Sequence, residues 1–478
     1  MRNTYTILFA AAAVAGLASF EIGIYFPITL SVVMLAAVSL YILQEYREKR
    51  IGLLIIIAWL TYLLPFIHIP PYISFDFNSN PTILWGLAVN PYMLDEQVIK
   101  LTAMIGAIGA IGIAFGISLS RQKIKQNLYA NTETCHFAFD TMGLPIWLAW
   151  VVIGLLLSSL SAPQETIFTA AYTDSKSALD GANFSSAWMV SYVILSYAFC
   201  DALLEQKKST RLFKVQIINF TIILVVVFLQ LLRGDRECLP WVLGLFIAKY
   251  YWAKKINPEA VFKIAWAKLI ILVLLIFVIS LVVGGIRSGL VNSSLSDAIW
   301  LIGKLLESGS NPLDLIIHGT WSAVLLTPLS VAGDHIYGFL PLKMGQDYLD
   351  LLLSIIPGFV ADAIGYIRPI DSLHGPAWEM RYGIGGTHST VVPFMNFRMI
   401  GVFFISAIWA LIIVIFEKWS IKHAGVSKLS LLVTISMGLP HWLWYGEKAG
   451  INMMSIWFVF WALYRISLSL DRSSPILH

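Results

Sequence analysis

Long apolar runs separated by short polar loops recur along the whole of this chain. A window of about 20 residues, the length an α-helix needs to cross a bilayer, picks out about twelve of them. They lie near 4–20, 24–44, 52–69, 101–119, 145–162, 188–204, 215–232, 238–253, 268–285, 398–416, 429–445 and 452–470. The first follows a single Arg2 and has the look of a signal peptide, but a second run begins almost at once, so it is expected to be retained as a helix. The pattern predicts an all-α, polytopic membrane protein.

Two further apolar runs, 313–329 and 348–366, each carry a carboxylate, Asp314 or Asp362, and a proline. They are expected to be re-entrant or surface-lying helices; if both cross, the count becomes fourteen. Ser296 and Asp297 before Ile299, Ile302, Leu305 and Leu306 form an N-cap signal followed by helical spacing, which predicts an interfacial helix. With no internal repeat and no low-complexity linker, the chain is expected to form a single membrane domain over residues 1–478.

Charge orients the spans. Basic clusters fall on every second loop: Arg47, Lys49 and Arg50; Arg121, Lys123 and Lys125; Lys207, Lys208, Arg211 and Lys214; Lys254, Lys255 and Lys263; Lys418, Lys422 and Lys428. The positive-inside rule then places both termini in the cytoplasm and the long segment 287–396 outside it. Single cysteines at Ser288 and Thr387 are therefore expected to react with an impermeant thiol reagent from outside, and one at Ser209 is not. Composition agrees with the class, with 58% hydrophobic and 13% charged residues and a mean hydropathy of +0.77. The net charge of +4 comes without a long basic run, which argues against a nucleic-acid partner. Cys135, Cys200 and Cys238 are odd in number and lack metal-ligand spacing, and His318, His335 and His374 form no HxxxH pattern, so neither disulfides nor a metal is expected.

The candidate chemistry collects on the outer side. Arg233-Gly-Asp235-Arg236 makes a tight turn between two runs, and Arg287 closes the ninth run beside Gly284, Gly285 and Gly289. Arg368 and Arg381 lie in the same compartment. Each arginine alone is explained by snorkelling to lipid headgroups, but five together, each a planar fork of donors, suit a diphosphate. His388 ends the stretch Arg381-Tyr382-Gly-Ile-Gly-Gly-Thr-His388, where Gly383, Gly385 and Gly386 free the backbone. Ser389 and Thr390 are cap-type residues, and Pro393 is tolerated only near a helix start. A ring at the positive end of a helix is expected to stay neutral, with a pKa near 6.5 or lower, and able to accept a proton as a general base. Asp235, Glu237 and Glu379 are the alternative bases, Asp235 and Glu237 being better explained as ion-pair partners of the neighbouring arginines, and Tyr382 is a supporting residue.

The Arg-Gly-Asp-Arg turn, the arginine closing a later span, and a long outer segment ending in Gly-Gly-Thr-His388 before a helix with Gly401 resemble the O-antigen or repeat-unit polymerases of the Wzy type, and the related O-antigen ligases. The resemblance implies a GT-C-like membrane fold in the bacterial inner membrane and an active site on its periplasmic face. It implies a substrate of undecaprenyl-diphosphate-linked oligosaccharide, with a chain-length regulator and a flippase as partners and no cofactor. By it, Arg233, Arg236 and Arg287 hold the lipid diphosphate and His388 activates the acceptor hydroxyl. Ligases typically follow the histidine with asparagine, whereas Ser389 follows here. A secondary transporter is the rival of a different class, but its ionisable groups belong at the midplane, and these spans are nearly charge-free in their middles.

Overall fold

The computed structural model describes residues 25–66, 92, 95–123, 141–160, 187–205, 221–227, 238–256, 324–325, 327–354, 364–366, 387–422, 425–445 and 447–473. The regular elements among them are α-helices: α1 Tyr25–Arg47, α2 Leu53–Phe66, α3 Glu96–Lys123, α4 Leu144–Leu160, α5 Ala187–Glu205, α6 Cys238–Ile256, α7 Gln346–Ser354, α8 Val391–Lys422, α9 Val426–Tyr445 and α10 Glu447–Ser473. Residues 221–227, 324–325 and 327–336 are helical as well. The predicted runs near 4–20 and 268–285, and the interfacial helix expected at Asp297, lie outside the described residues.

Among the described residues, four stretches are long and apolar enough to cross a membrane: Pro27–Arg47, Glu96–Ser120, Val391–Lys422 and Gly450–Asp471. Three shorter helices, Leu53–Phe66, Leu144–Leu160 and Trp188–Leu204, are equally apolar in character. Several of these turn large side chains outward, among them Leu148, Val152 and Leu156 on α4, Ile400, Phe404 and Ile408 on α8, and Phe458, Val459 and Ile466 on α10. Apolar stripes of that extent on three helices fit a membrane protein, whose outer face meets lipid.

The chain divides into two compact units, one of Met1–Ala130, His318–Lys418 and Leu439–Ile451, the other of Asn131–Ile317, Trp419–Gly438 and Asn452–His478. In the first, α3 is the central helix, with 94% of its apolar window buried, as expected of a helix that is hydrophobic on every side. Asp95 starts it, its Oδ1 accepting from the N–H groups of Gln97 at 2.8 Å and Val98 at 3.3 Å. Glycines on α3 decide how close its neighbours come. A Cβ on Gly112 would lie 2.3 Å from the Phe403 carbonyl oxygen and one on Gly116 2.1 Å from that of Ala407. The four-residue spacing therefore lets the α8 backbone lie directly on α3. α1 packs along the same helix, where the Ser31 hydroxyl donates to the Ala103 carbonyl at 2.8 Å.

The second unit is built around α4 and α5 and is rich in indoles whose N–H groups are satisfied. Trp147 donates to the Ala198 carbonyl at 2.7 Å, Trp241 to Ser196 Oγ at 3.0 Å and Trp457 to Ser430 Oγ at 3.1 Å. Two carboxylates close the start of α4: Asp201 accepts from the Met142 N–H at 3.1 Å and Asp471 from the Gly143 N–H at 2.8 Å.

α8 is not one straight rod. Arg398 has φ 54° and ψ −145°, and a Cβ on Gly401 would lie 2.5 Å from the Pro393 carbonyl oxygen. Eight residues of straight helix rise about 12 Å, so the chain must fold back at Arg398. Residues 391–397 thus form a short lead-in helix, and the long apolar helix starts at the break. The run predicted from 398 begins at that break.

Candidate active site

The residues Thr387-His388-Ser389-Thr390 enter α8 through a tight set of bonds. Ser389 N–H donates to the Leu443 carbonyl at 2.7 Å, Val391 N–H to the His388 carbonyl at 2.9 Å and Phe394 N–H to the Thr390 carbonyl at 3.1 Å. Pro393 falls in the first turn of the helix, where its missing N–H leaves no bond unmade. His388 is fully buried.

The partners of the ring fix its tautomer. Nε2 lies 3.2 Å from the Tyr62 carbonyl oxygen, which can only accept. Nδ1 lies 3.3 Å from the Thr390 N–H, which can only donate, and 2.9 Å from Thr390 Oγ1. The proton is therefore on Nε2, and the lone pair of Nδ1 faces Thr390. Burial pushes the imidazole pKa down to about 3, against a weaker upward pull from the Tyr62 carbonyl. His388 is neutral across the physiological range, with burial rather than the helix end as the leading cause.

Aromatic rings wall it in. Tyr62 and Phe66 of α2 each present an edge to the imidazole with ring centroids 4.9 Å away. Glycines of α3 make room for both: a Cβ on Gly106 would lie 2.6 Å from the Phe66 ring, and one on Gly109 2.2 Å from the Tyr62 hydroxyl. That hydroxyl in turn donates to the Gly106 carbonyl at 2.7 Å. Three segments distant in sequence thus converge on His388. Beside it, Thr387 Oγ1 is buried with no hydrogen-bond partner among the described residues. Thr387 is only 1% exposed, so the cysteine reporter expected to react there is shielded from reagent whichever side it faces; a solvent-facing reporter belongs at Met344, which is 75% exposed.

Within the lead-in helix, Asn396 ties the preceding loop to α8. Its Oδ1 accepts from Gly345 N–H at 3.0 Å and Asp347 N–H at 3.4 Å, and its Nδ2 donates to Asp347 Oδ2 at 2.8 Å and the Val392 carbonyl at 2.9 Å. Lys343 completes the group with Nζ 2.8 Å from Asp347 Oδ1. Every polar atom of Asn396 is used, which makes this a rigid bracket holding α7 against α8. Neither Asn396 nor Arg398 stood out in the sequence; their only signal is a polar pair at the head of an apolar run.

Arg233, Asp235, Arg236, Glu237, Arg287, Arg368, Glu379, Arg381 and Tyr382 lie outside the described residues, as do Ser209, Ser288, His318, His374 and Cys135. Cys200 and Cys238 are buried and free. Among the described residues no group of three or more His, Cys, Asp or Glu is placed to hold a metal ion. Compared with known proteins, the chain matches no family model, no curated protein and no solved structure.

Proposed function

We propose that this protein is a membrane-embedded, metal-independent inverting glycosyltransferase with about twelve spans and a GT-C-like fold. It polymerises undecaprenyl-diphosphate-linked repeat units into a surface polysaccharide at the periplasmic face of the bacterial inner membrane. The observation that carries this is His388, an imidazole kept neutral at physiological pH at the head of a long apolar helix. A neutral ring can accept a proton, but one held to a pKa of about 3 by burial is a weak base, so the role requires substrate to open the pocket and raise that pKa toward neutrality. The growing glycan on one lipid diphosphate is transferred to the non-reducing end of a second unit. His388 takes the proton of the attacking hydroxyl, while Arg233, Arg236, Arg287, Arg368 and Arg381 neutralise the departing diphosphate where charge develops. Attack opposite the diphosphate inverts the anomeric carbon.

The Nδ1 lone pair is the ring's basic position and is occupied by Thr390. The acceptor hydroxyl must therefore displace the Thr390 hydroxyl from Nδ1. The same enclosure favours a second reading, in which His388 is a positioning residue that pins α2 to the start of α8. The decisive experiment is the lipid-linked glycan pool of a deletion strain. Single repeat units on the surface identify a polymerase, long undecaprenyl-linked chains identify a ligase, and unchanged glycans exclude both.

A further inference from the structure

We propose that Arg398 and His335 form an oxyanion site for a phosphate or diphosphate group at the break in α8, using none of the arginines assigned above. Arg398 occupies a backbone region that is essentially glycine's, at φ 54° and ψ −145°, which costs a non-glycine residue of order 1–3 kcal/mol. The conformation fixes the guanidinium along one edge only. Nη2 donates to the Leu340 carbonyl at 2.8 Å, and the head group lies 5.5 Å from the centre of the Phe394 ring. Nη1, with two N–H donors, is buried and has no partner among the described residues. A charged group with a dry, unused donor edge is a costly arrangement that an anion would satisfy.

A second potential cation stands beside it. The His335 ring packs edge-on against the same Phe394 at 5.4 Å. Burial and then the Arg398 charge depress its pKa, so the two groups lie close enough to oppose each other's charge. Ion pairs among the described residues involve Arg50, Lys100 and Lys343, and none involves Arg398. Both side chains are partly exposed as a whole, while the Nη1 edge itself is buried, so an anion reaches it only by displacing what covers it. The free guanidinium edge and an imidazole N–H supply three donors beside one fixed positive charge. Three donors match the several oxygens of a phosphate better than the two oxygens of a carboxylate.

The test uses full-length protein in a phosphate-free maltoside detergent, titrated with inorganic pyrophosphate and separately with dioctanoyl phosphatidic acid, reading binding from the rise in Tm. Saturable binding of pyrophosphate assigns a free phosphate or diphosphate; binding of phosphatidic acid alone assigns a lipid headgroup. In either case Arg398→Lys, which keeps the charge but not the fork, should weaken binding by about tenfold or more. His335→Gln should weaken it as well, and serves as the test should Arg398→Lys not fold. Failure of wild type to bind either compound, or wild-type binding in the folded variants, overturns the site. Because no turnover is read, this result stands or falls separately from the polymerase assignment.

Discussion

The two ends of the first unit's long helix treat buried charge in opposite ways. Toward Lys418, the almost fully buried Glu417 points its Oε1 at the start of α2 and accepts the Leu54 N–H at 2.8 Å. An anion on the positive end of a neighbouring helix is a closed arrangement in which each group answers the other. Toward Val391, the buried His388 is kept neutral and Arg398, on a strained backbone, keeps a donor edge without a partner among the described residues. At one end the buried carboxylate is matched to a helix start, though Ser420 Oγ nearby has no hydrogen-bond partner among the described residues; at the other a charged guanidinium edge has no such match. Unsatisfied and strained groups of this kind concentrate where a protein binds or reacts.

The largest effect to expect is all-or-none and tests whether the two ends face different compartments. In a cysteine-free background, a cysteine at Met344, on the loop held by Asn396, should be labelled from outside by an impermeant thiol reagent. One at the exposed Arg47, beside the Lys49 and Arg50 loop, should be labelled only after permeabilisation. The reverse pattern would turn the protein over and move the proposed site to the cytoplasm.

Next in size is His388→Ala, which should lower turnover roughly 10²–10⁴-fold and leave cells displaying a single repeat unit in place of a ladder. His388→Asn offers an amide to the same neighbours without a usable base. Recovery of the ladder in His388→Asn would show that the ring only positions α2 and α8. The pH dependence follows from the same group. Its folded pKa of about 3 lies below the ordinary 6.5, so the unfolded chain takes up a proton first as pH falls. Stability contributed by the neutral ring is complete above about pH 6.5 and is lost progressively toward pH 3. Tm measured across that range should fall more steeply in wild type than in His388→Ala. Equal slopes would mean that the ring titrates normally and is not enclosed.

At the closed end the effect is smaller. Glu417→Ala strips an acceptor from the start of α2 and should destabilise the protein by about 1–3 kcal/mol with the ladder length unchanged. Glu417→Gln should recover part of the loss. A loss of polymer in a stable Glu417→Ala protein would erase the distinction between the two ends.

This asymmetry was only partly legible in the sequence. Apolar runs located α1, α2, α4, α5 and α6 closely because length and hydropathy dominate those segments. They missed the true start of α3 by several residues, since the capping Asp95 stands in a polar stretch that a hydropathy window averages away. His388 drew attention through its glycines and cap residues, yet its burial depends on Tyr62, 326 positions away, and no local pattern encodes that contact. Arg398 was read as the first residue of a span. Its break comes from Gly401 meeting Pro393, a close approach set by three-dimensional packing.

The finest test separates the strain at Arg398 from its side chain. Arg398→Ala and Arg398→Gly both delete the Leu340 bond and the contact with Phe394, so they differ only in backbone preference. Within an ordinary helix, glycine is the less stable of the two by roughly 0.5–1 kcal/mol. At φ 54° and ψ −145° the order should reverse, with Arg398→Gly the more stable by about 1 kcal/mol, because glycine alone enters that region without a Cβ clash. Denaturation of the two variants side by side measures this difference with the head-group losses cancelled. If alanine is the better tolerated, the turn is relaxed and the helix runs straight through residue 398. If glycine is, the native arginine is kept at a position where the backbone disfavours it, and the only gain left to offset that cost is what its guanidinium holds.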